Sequence, residues 1–167
     1  MNRCATGALA PVVKVFRWSG SPPRLSHVSD QANSEERGVT LYEAVGGTPF
    51  FERLVDLFYV GVKADPVLRP MYPEDDMAGA QRRLVLFLSQ YWGGPMTYNE
   101  ERGHPMLRAR HMPFPIGPDE RDRWLVCMAA ALEELTEPGD IRDVLIGYFV
   151  PAADAMRNDG IQQMRQS

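Results

Sequence analysis

Two of the protein's three histidines, His104 and His111, fall in one stretch, Gly103 to Gly117, which is bounded and divided by proline and glycine. Imidazole is a standard axial ligand for a metal. Between Pro105 and Pro113 there is room for only about two helical turns. Pro105 suits the first position of such a helix, where no backbone donor is needed. Pro113 stops it, because the residue before a proline is pushed out of helical geometry. His111 therefore belongs to the last turn of a short, stiffly bounded helix. Two readings are open there: an imidazole that complements the negative end of the helix dipole, or an axial metal ligand. His104 lies at the start of the same helix, toward solvent. His27 sits in a polar segment and reads as solvated.

The elements that must position this stretch show as apolar residues at three- and four-residue steps. Thr40 to Val45 is a short amphipathic turn ended by Gly46-Gly47. Thr48-Pro49 reads as a cap and a first helical residue. Phe50, Phe51, Leu54, Leu57, Phe58 and Val62 then give a helix with a wide apolar face, running to about Ala64. Tyr59 sits on its edge, by residue type a core tyrosine with its hydroxyl at the surface. Asp65-Pro66 turns the chain. Val67 to Tyr72 is one helical turn closed by Pro73, which holds Tyr72 on a rigid corner. Met77 to Tyr91 is a second long helix stopped by Gly93-Gly94-Pro95, with Arg82 and Arg83 off its apolar stripe. Met96 to Gly103 reads as a polar loop. A helix opens at Gly117-Pro118-Asp119-Glu120 and carries Trp124, Leu125, Met128 and Leu132 inward. The last helix spans Ile141 to Met156, and Pro151 inside it should kink or split it. No strand-like alternation and no repeat is visible, so the chain predicts an all-α domain.

The 167 residues suggest one domain with an appendage: an N-terminal extension over 1–38, a helical domain over 39–160 and a tail over 161–167. The extension is polar and turn-rich and reads as mobile. Its apolar segment after Arg3 is too short, and too charged at Lys14 and Arg17, for a good signal peptide. Apolar residues make up 44% of the chain, enough for a real core. A net charge of −4 and a pI of about 5.4 argue against a nucleic-acid-binding surface. The two cysteines, Cys4 and Cys127, cannot form a disulfide framework or a zinc site, which fits a reducing cytoplasm. No apolar run approaches the ~18 residues of a membrane span.

Several linked motifs narrow this further. Tyr42-Glu43-Ala44-Val45-Gly46-Gly47, Leu68-Arg69-Pro70-Met71-Tyr72-Pro73-Glu74-Asp75-Asp76, Gln90-Tyr91-Trp92-Gly93-Gly94-Pro95 and Arg108-Ala109-Arg110-His111, followed by Trp124, occur in this order. From Leu41 to about Leu135 the chain resembles the group II (O-type) truncated haemoglobins in the order and spacing of these motifs. The resemblance implies the two-over-two helical sandwich, a shortened globin fold, and a haem b cofactor with His111 as proximal iron ligand. It places Tyr59, Tyr72 and Trp124 in the distal cavity, where phenol and indole donors would stabilise bound O₂. Ala80 falls where many globins carry a distal histidine, and an alanine leaves that task to the three aromatics. Leu84, Phe87 and Phe114 would line the pocket. Arg110 beside the ligand, and then Arg83 and Tyr91, would meet the haem propionates.

The implied function is a haem protein that binds O₂, NO and CO, as an oxygen carrier or as an enzyme that turns NO into nitrate with the help of a reductase. A peroxidase-like redox enzyme is a second reading, since Tyr59, Tyr72 and Trp124 are oxidisable. A cofactor-free helical interaction domain that has kept the fold is a third. The subunit would be a monomer or a homodimer. Cys127 reads as core packing, and Asp75, Asp76, Glu100 and Glu101 as solvated charges and caps.

Overall fold

Phe51, Leu54, Val55, Phe58 and Val62 lie on one face of a helix and are each 0% exposed. That face makes α2 (Thr48–Ala64) the central element. The computed structural model describes residues 38–72, 76–137 and 139–160. The proposed extension up to residue 37 with Cys4 and His27, the closing Pro73, Asp75 and the 161–167 tail lie outside them. Burying side chains of this size stabilises by roughly 1.5–3 kcal/mol each, so the α2 face dominates the core.

The remaining elements are α1 (Leu41–Ala44), a 3-10 turn (Arg69–Met71), α3 (Met77–Tyr91), α4 (Thr97–Arg102), α5 (Leu107–His111), α6 (Pro118–Leu135) and α7 (Asp140–Met156). The described residues contain no strand. α2 packs on α3 and on α6, and α6 packs on α7. The pairs α2/α3 and α6/α7 form two packed layers, as the two-over-two sandwich expected from the resemblance requires. Met128 and Leu132 of α6 and Leu145 of α7 are fully buried in the same core cluster as the α2 face. Gly61 permits the α2–α6 approach: a Cβ there would lie 2.9 Å from the Cys127 sulfur. Cys127 is half-buried in that contact and unpaired.

Local chemistry sets the ends. Thr40 and Glu43 cap α1 reciprocally, Glu43 N–H donating to Thr40 Oγ1 (3.2 Å) and Thr40 N–H to Glu43 Oε2 (2.8 Å). Asp65 Oδ1 accepts the Val67 and Leu68 amides at 2.9 Å, which fixes the turn that leads to Tyr72. Those amides, with Arg123, hold the Asp65 carboxyl below its usual range. The Glu120 carboxylate accepts the Gly117 N–H at 2.8 Å and starts α6.

Three expectations are corrected and a fourth is narrowed. Thr48 is already helical, and Gly47, at φ 80°, is the cap. α5 begins at Leu107 rather than Pro105, because Met106 is left-handed at φ 42° and its amide donates to His104 Nδ1 (3.3 Å). The tight turn thus uses up the residues that would have been the first helical turn. Met96 to Gly103 is not a loop: α4 forms there, with Tyr98 buried and the Asn99 amide donating to Gln90 Oε1 at 3.0 Å. α7 runs unsplit through Pro151, which lies on its exposed side.

Candidate functional site

A cavity of about 630 Å³ opens between α3, α5, α6 and α7, within the ~300–1,000 Å³ range of cofactor pockets. His111 lines it from α5. The His111 Nδ1–H donates to the Leu107 carbonyl at 2.7 Å. A carbonyl only accepts, so this bond fixes the proton on Nδ1 and leaves the Nε2 lone pair free. An imidazole tied in this way is an oriented metal ligand.

The α5 helix is too short to hold that ring alone. Two side chains hang it from the end of α7. Arg108 Nη1 donates to the Ala155 carbonyl (2.7 Å). Asn158, 3% exposed, donates through Nδ2 to the carbonyls of His111 (3.1 Å) and Phe114 (2.8 Å), while its Oδ1 accepts the Ile116 amide (3.0 Å).

Tyr59, Tyr72 and Trp124 come together in the same cavity, from α2, the corner after the 3-10 turn and α6. The Tyr59 and Tyr72 rings meet edge-on at 5.5 Å, and Phe58 packs on both Tyr59 and Trp124 at 5.1 Å. The Trp124 indole lies beside the Tyr72 hydroxyl and favours its ionised form. An indole N–H can only donate, whereas a phenol can donate as well as accept. Burial pushes the Tyr72 phenol up to about 12, against the smaller opposing pull of the neighbouring Trp124 indole. Tyr59, 3% exposed, is raised well above the usual phenol range by burial first, then by Tyr72, with Arg83 opposing. Tyr59 is therefore fully inside rather than at an edge with its hydroxyl at the surface. Both phenols are neutral donors at any physiological pH.

Ala80, Leu84, Phe87 and Phe114 also line the cavity. Arg83 does too, although its helix stripe suggested an outward position. It is held by Asp76, with Nη2–Oδ2 at 2.6 Å and Nη1–Oδ1 at 3.2 Å. Gly79 makes room for this pair, since a Cβ there would lie 2.1 Å from Asp76 Oδ1. Arg110 reaches the cavity edge while donating to the carbonyls of Pro105 (2.8 Å) and Arg102 (3.0 Å). Its charge meets neutral oxygens, so it is available to an anionic group at the mouth. Tyr91 is the exception among the expected residues. It is 46% exposed, stands outside the cavity lining and stacks at 4.2 Å on Tyr148, which takes the inner position. Sequence reasoning did not single out the whole lining as site residues: Tyr98, Arg102 and Tyr148 are among the lining residues it missed, and Asn158 lies behind them. Tyr148 had a signal, its place in the apolar stripe of α7. Tyr98 and Asn158 had none.

The sequence from residue 40 to 158 matches the family model of the bacterial-like globins. Group 2 truncated hemoglobin YjbI of Bacillus subtilis is 44% identical over 126 residues, covering 75% of this chain and 94% of that protein. The chain belongs to the group II truncated haemoglobins. Among solved structures, the thermostable hemoglobin of Thermobifida fusca is 59% identical, with a TM-score of 0.70, covering 72% of this chain and 98% of its own. The truncated oxygen-avid haemoglobin of Bacillus subtilis is 44% identical, with a TM-score of 0.67, covering 72% and 100%. This truncated haemoglobin is thus a haem-binding globin that binds oxygen, which removes the cofactor-free reading. The oriented imidazole, the apolar slot and the cations at its edge are what a haem requires. No helix among the described residues is long and apolar enough to cross a membrane.

Proposed function

We propose that residues 39–160 form an O₂-binding globin domain that holds haem b through His111 Nε2. The observation that carries this is the 2.7 Å bond from His111 Nδ1–H to Leu107, which presents the other ring nitrogen to a cavity of about 630 Å³. Haem supplies an iron with one coordination position open to O₂, NO or CO. Arg110 holds a propionate at the mouth, with Arg83 as a second cation that must first share or leave Asp76. Ala80, Leu84, Phe87 and Phe114 keep the slot apolar and exclude water.

The chain's contribution to ligand retention lies in Tyr59, Tyr72 and Trp124. Trp124 brings an indole N–H donor and Tyr72 a hydroxyl donor to the same cavity. Tyr59 adds a second hydroxyl beside it. A hydrogen bond to a ligand carrying negative charge is worth roughly 1.5–3 kcal/mol. Such a network retains O₂ and releases it slowly, consistent with the oxygen avidity ascribed to the Bacillus subtilis relative. We assign the protein to oxygen binding and transport or to NO detoxification in the cytoplasm, served by a reductase and acting as a monomer or homodimer. The edge-on contact of the Tyr59 and Tyr72 rings also favours a peroxidase-like activity, because two phenols in contact can share an oxidising equivalent.

The deciding measurement is the absorption spectrum of the purified protein, reduced, with and without CO. A strong Soret band that moves with CO is expected. His111→Ala should lose the normal ferrous spectrum, and an unaltered spectrum would assign the ligand elsewhere. Nitrate formed from NO and O₂, set against donor oxidation by peroxide, separates the two activities.

A further inference from the structure

We propose that Asn158 is a positioning residue for the proximal imidazole. This rests on the assignment of His111 as haem ligand. Asn158 lies two residues beyond α7, yet its side chain is spent entirely on the segment that follows the ligand. Both amide hydrogens go to the carbonyls of His111 and Phe114, and the amide oxygen takes the Ile116 N–H. The Asn158 N–H adds a fourth bond, to the Ile116 carbonyl at 2.9 Å. The partners fix the amide orientation, since carbonyls need donors and an N–H needs an acceptor.

The geometry around the ligand makes this more than a loop tie. α5 has five residues, no side-chain cap and a left-handed residue at its start. The last carbonyls of a helix have no partner within it, and the His111 carbonyl is one of them. It accepts from Asn158 Nδ2 and from the Phe114 amide (3.1 Å). The ring is tied backward to Leu107 and its own carbonyl is tied outward to Asn158. These two bonds set the tilt and height of the imidazole over the slot. Asn158 itself is not in the cavity lining. It acts on the haem side only through the backbone of residues 111–116.

The test compares ferrous wild type, Asn158→Ala and Asn158→Asp by resonance Raman in the iron–imidazole stretching region, with haem-loss rates. Aspartate keeps the volume and the acceptor but lacks both N–H donors. Both variants are expected to shift and broaden the band and to lose haem about tenfold faster, the equivalent of one hydrogen bond. In the apo-protein, amide exchange at Ile116 should rise by a similar factor in Asn158→Ala alone, since aspartate can still accept that N–H. Leu145→Ala, in the α7 core and away from the cavity, is the control: it lowers the melting temperature without moving the band. If the Asn158 variants lose stability but their bound fraction keeps the wild-type band, the residue is merely structural and the proposal falls. If Asn158→Ala does not fold, Asn158→Ser, which keeps one hydroxyl donor, is read in the same way. A wild type with no Soret or iron–imidazole band would instead sink the haem assignment itself.

Discussion

At the scale of single residues, Trp124 and Tyr72 bring two donors to one cavity. Trp124→Phe removes the indole donor. O₂ release measured by stopped flow should accelerate about tenfold or more. Tyr72→Phe, which deletes the hydroxyl but keeps the ring, should show a comparable gain. The same phenol makes a statement about alkaline stability. Its folded pKa, about 12, lies above its ordinary value of 10.0. The unfolded chain therefore ionises first. The stability this provides is complete below pH 10 and lost as pH rises toward 12, at about 1.4 kcal/mol per pH unit. Urea melts of the apo-protein across that window should show the decline, and Tyr72→Phe should flatten part of it.

At the scale of elements, α2 and α7 make opposite cases. Phe58 is 0% exposed and touches Tyr59 and Trp124. Phe58→Ala should cost about 3–5 kcal/mol in a denaturant melt, and should disturb the distal pair because it leaves a hole behind both rings. Pro151 lies within α7 and is exposed. Proline in a helix interior forfeits a backbone bond at about 3 kcal/mol, offset by less than about 1 kcal/mol of unfolded-state restriction. Pro151→Ala should thus stabilise by about 2 kcal/mol, read as a higher urea midpoint. The long helices were legible because their buried faces repeat with helical period. α4 was not, because six residues with one buried side chain, Tyr98, give no period to read. The start of α5 was misplaced because proline signals a first helical position, and only the backbone reveals that Met106 is left-handed.

For the whole molecule, haem is a ligand of the folded state alone, so loading it must raise the melting temperature. At a free concentration of about a thousand times Kd, the gain is about 4 kcal/mol. Calorimetry of apo- and haem-loaded protein should show that difference, and His111→Ala should shrink it. Most of the pocket was legible in the motifs, since His111, Tyr59, Tyr72, Trp124 and the apolar wall all converge on one cavity. What the sequence hid is long-range. Asn158 stands 47 residues from His111 and 44 from Phe114, and a polar side chain after a helix end carries no mark of such partners. Tyr91 was drawn inward by its place in a motif, while its neighbour in space, Tyr148, fills that position.

Among the described residues, Trp124 stands in the wall of the slot, and Trp92 lies behind it against Tyr148 at 5.4 Å. A flat chromophore entering beside them must drain their excited states by energy transfer. Intrinsic fluorescence is therefore a built-in gauge of loading, bright when the protein is empty and dark when it is full, and it needs no label.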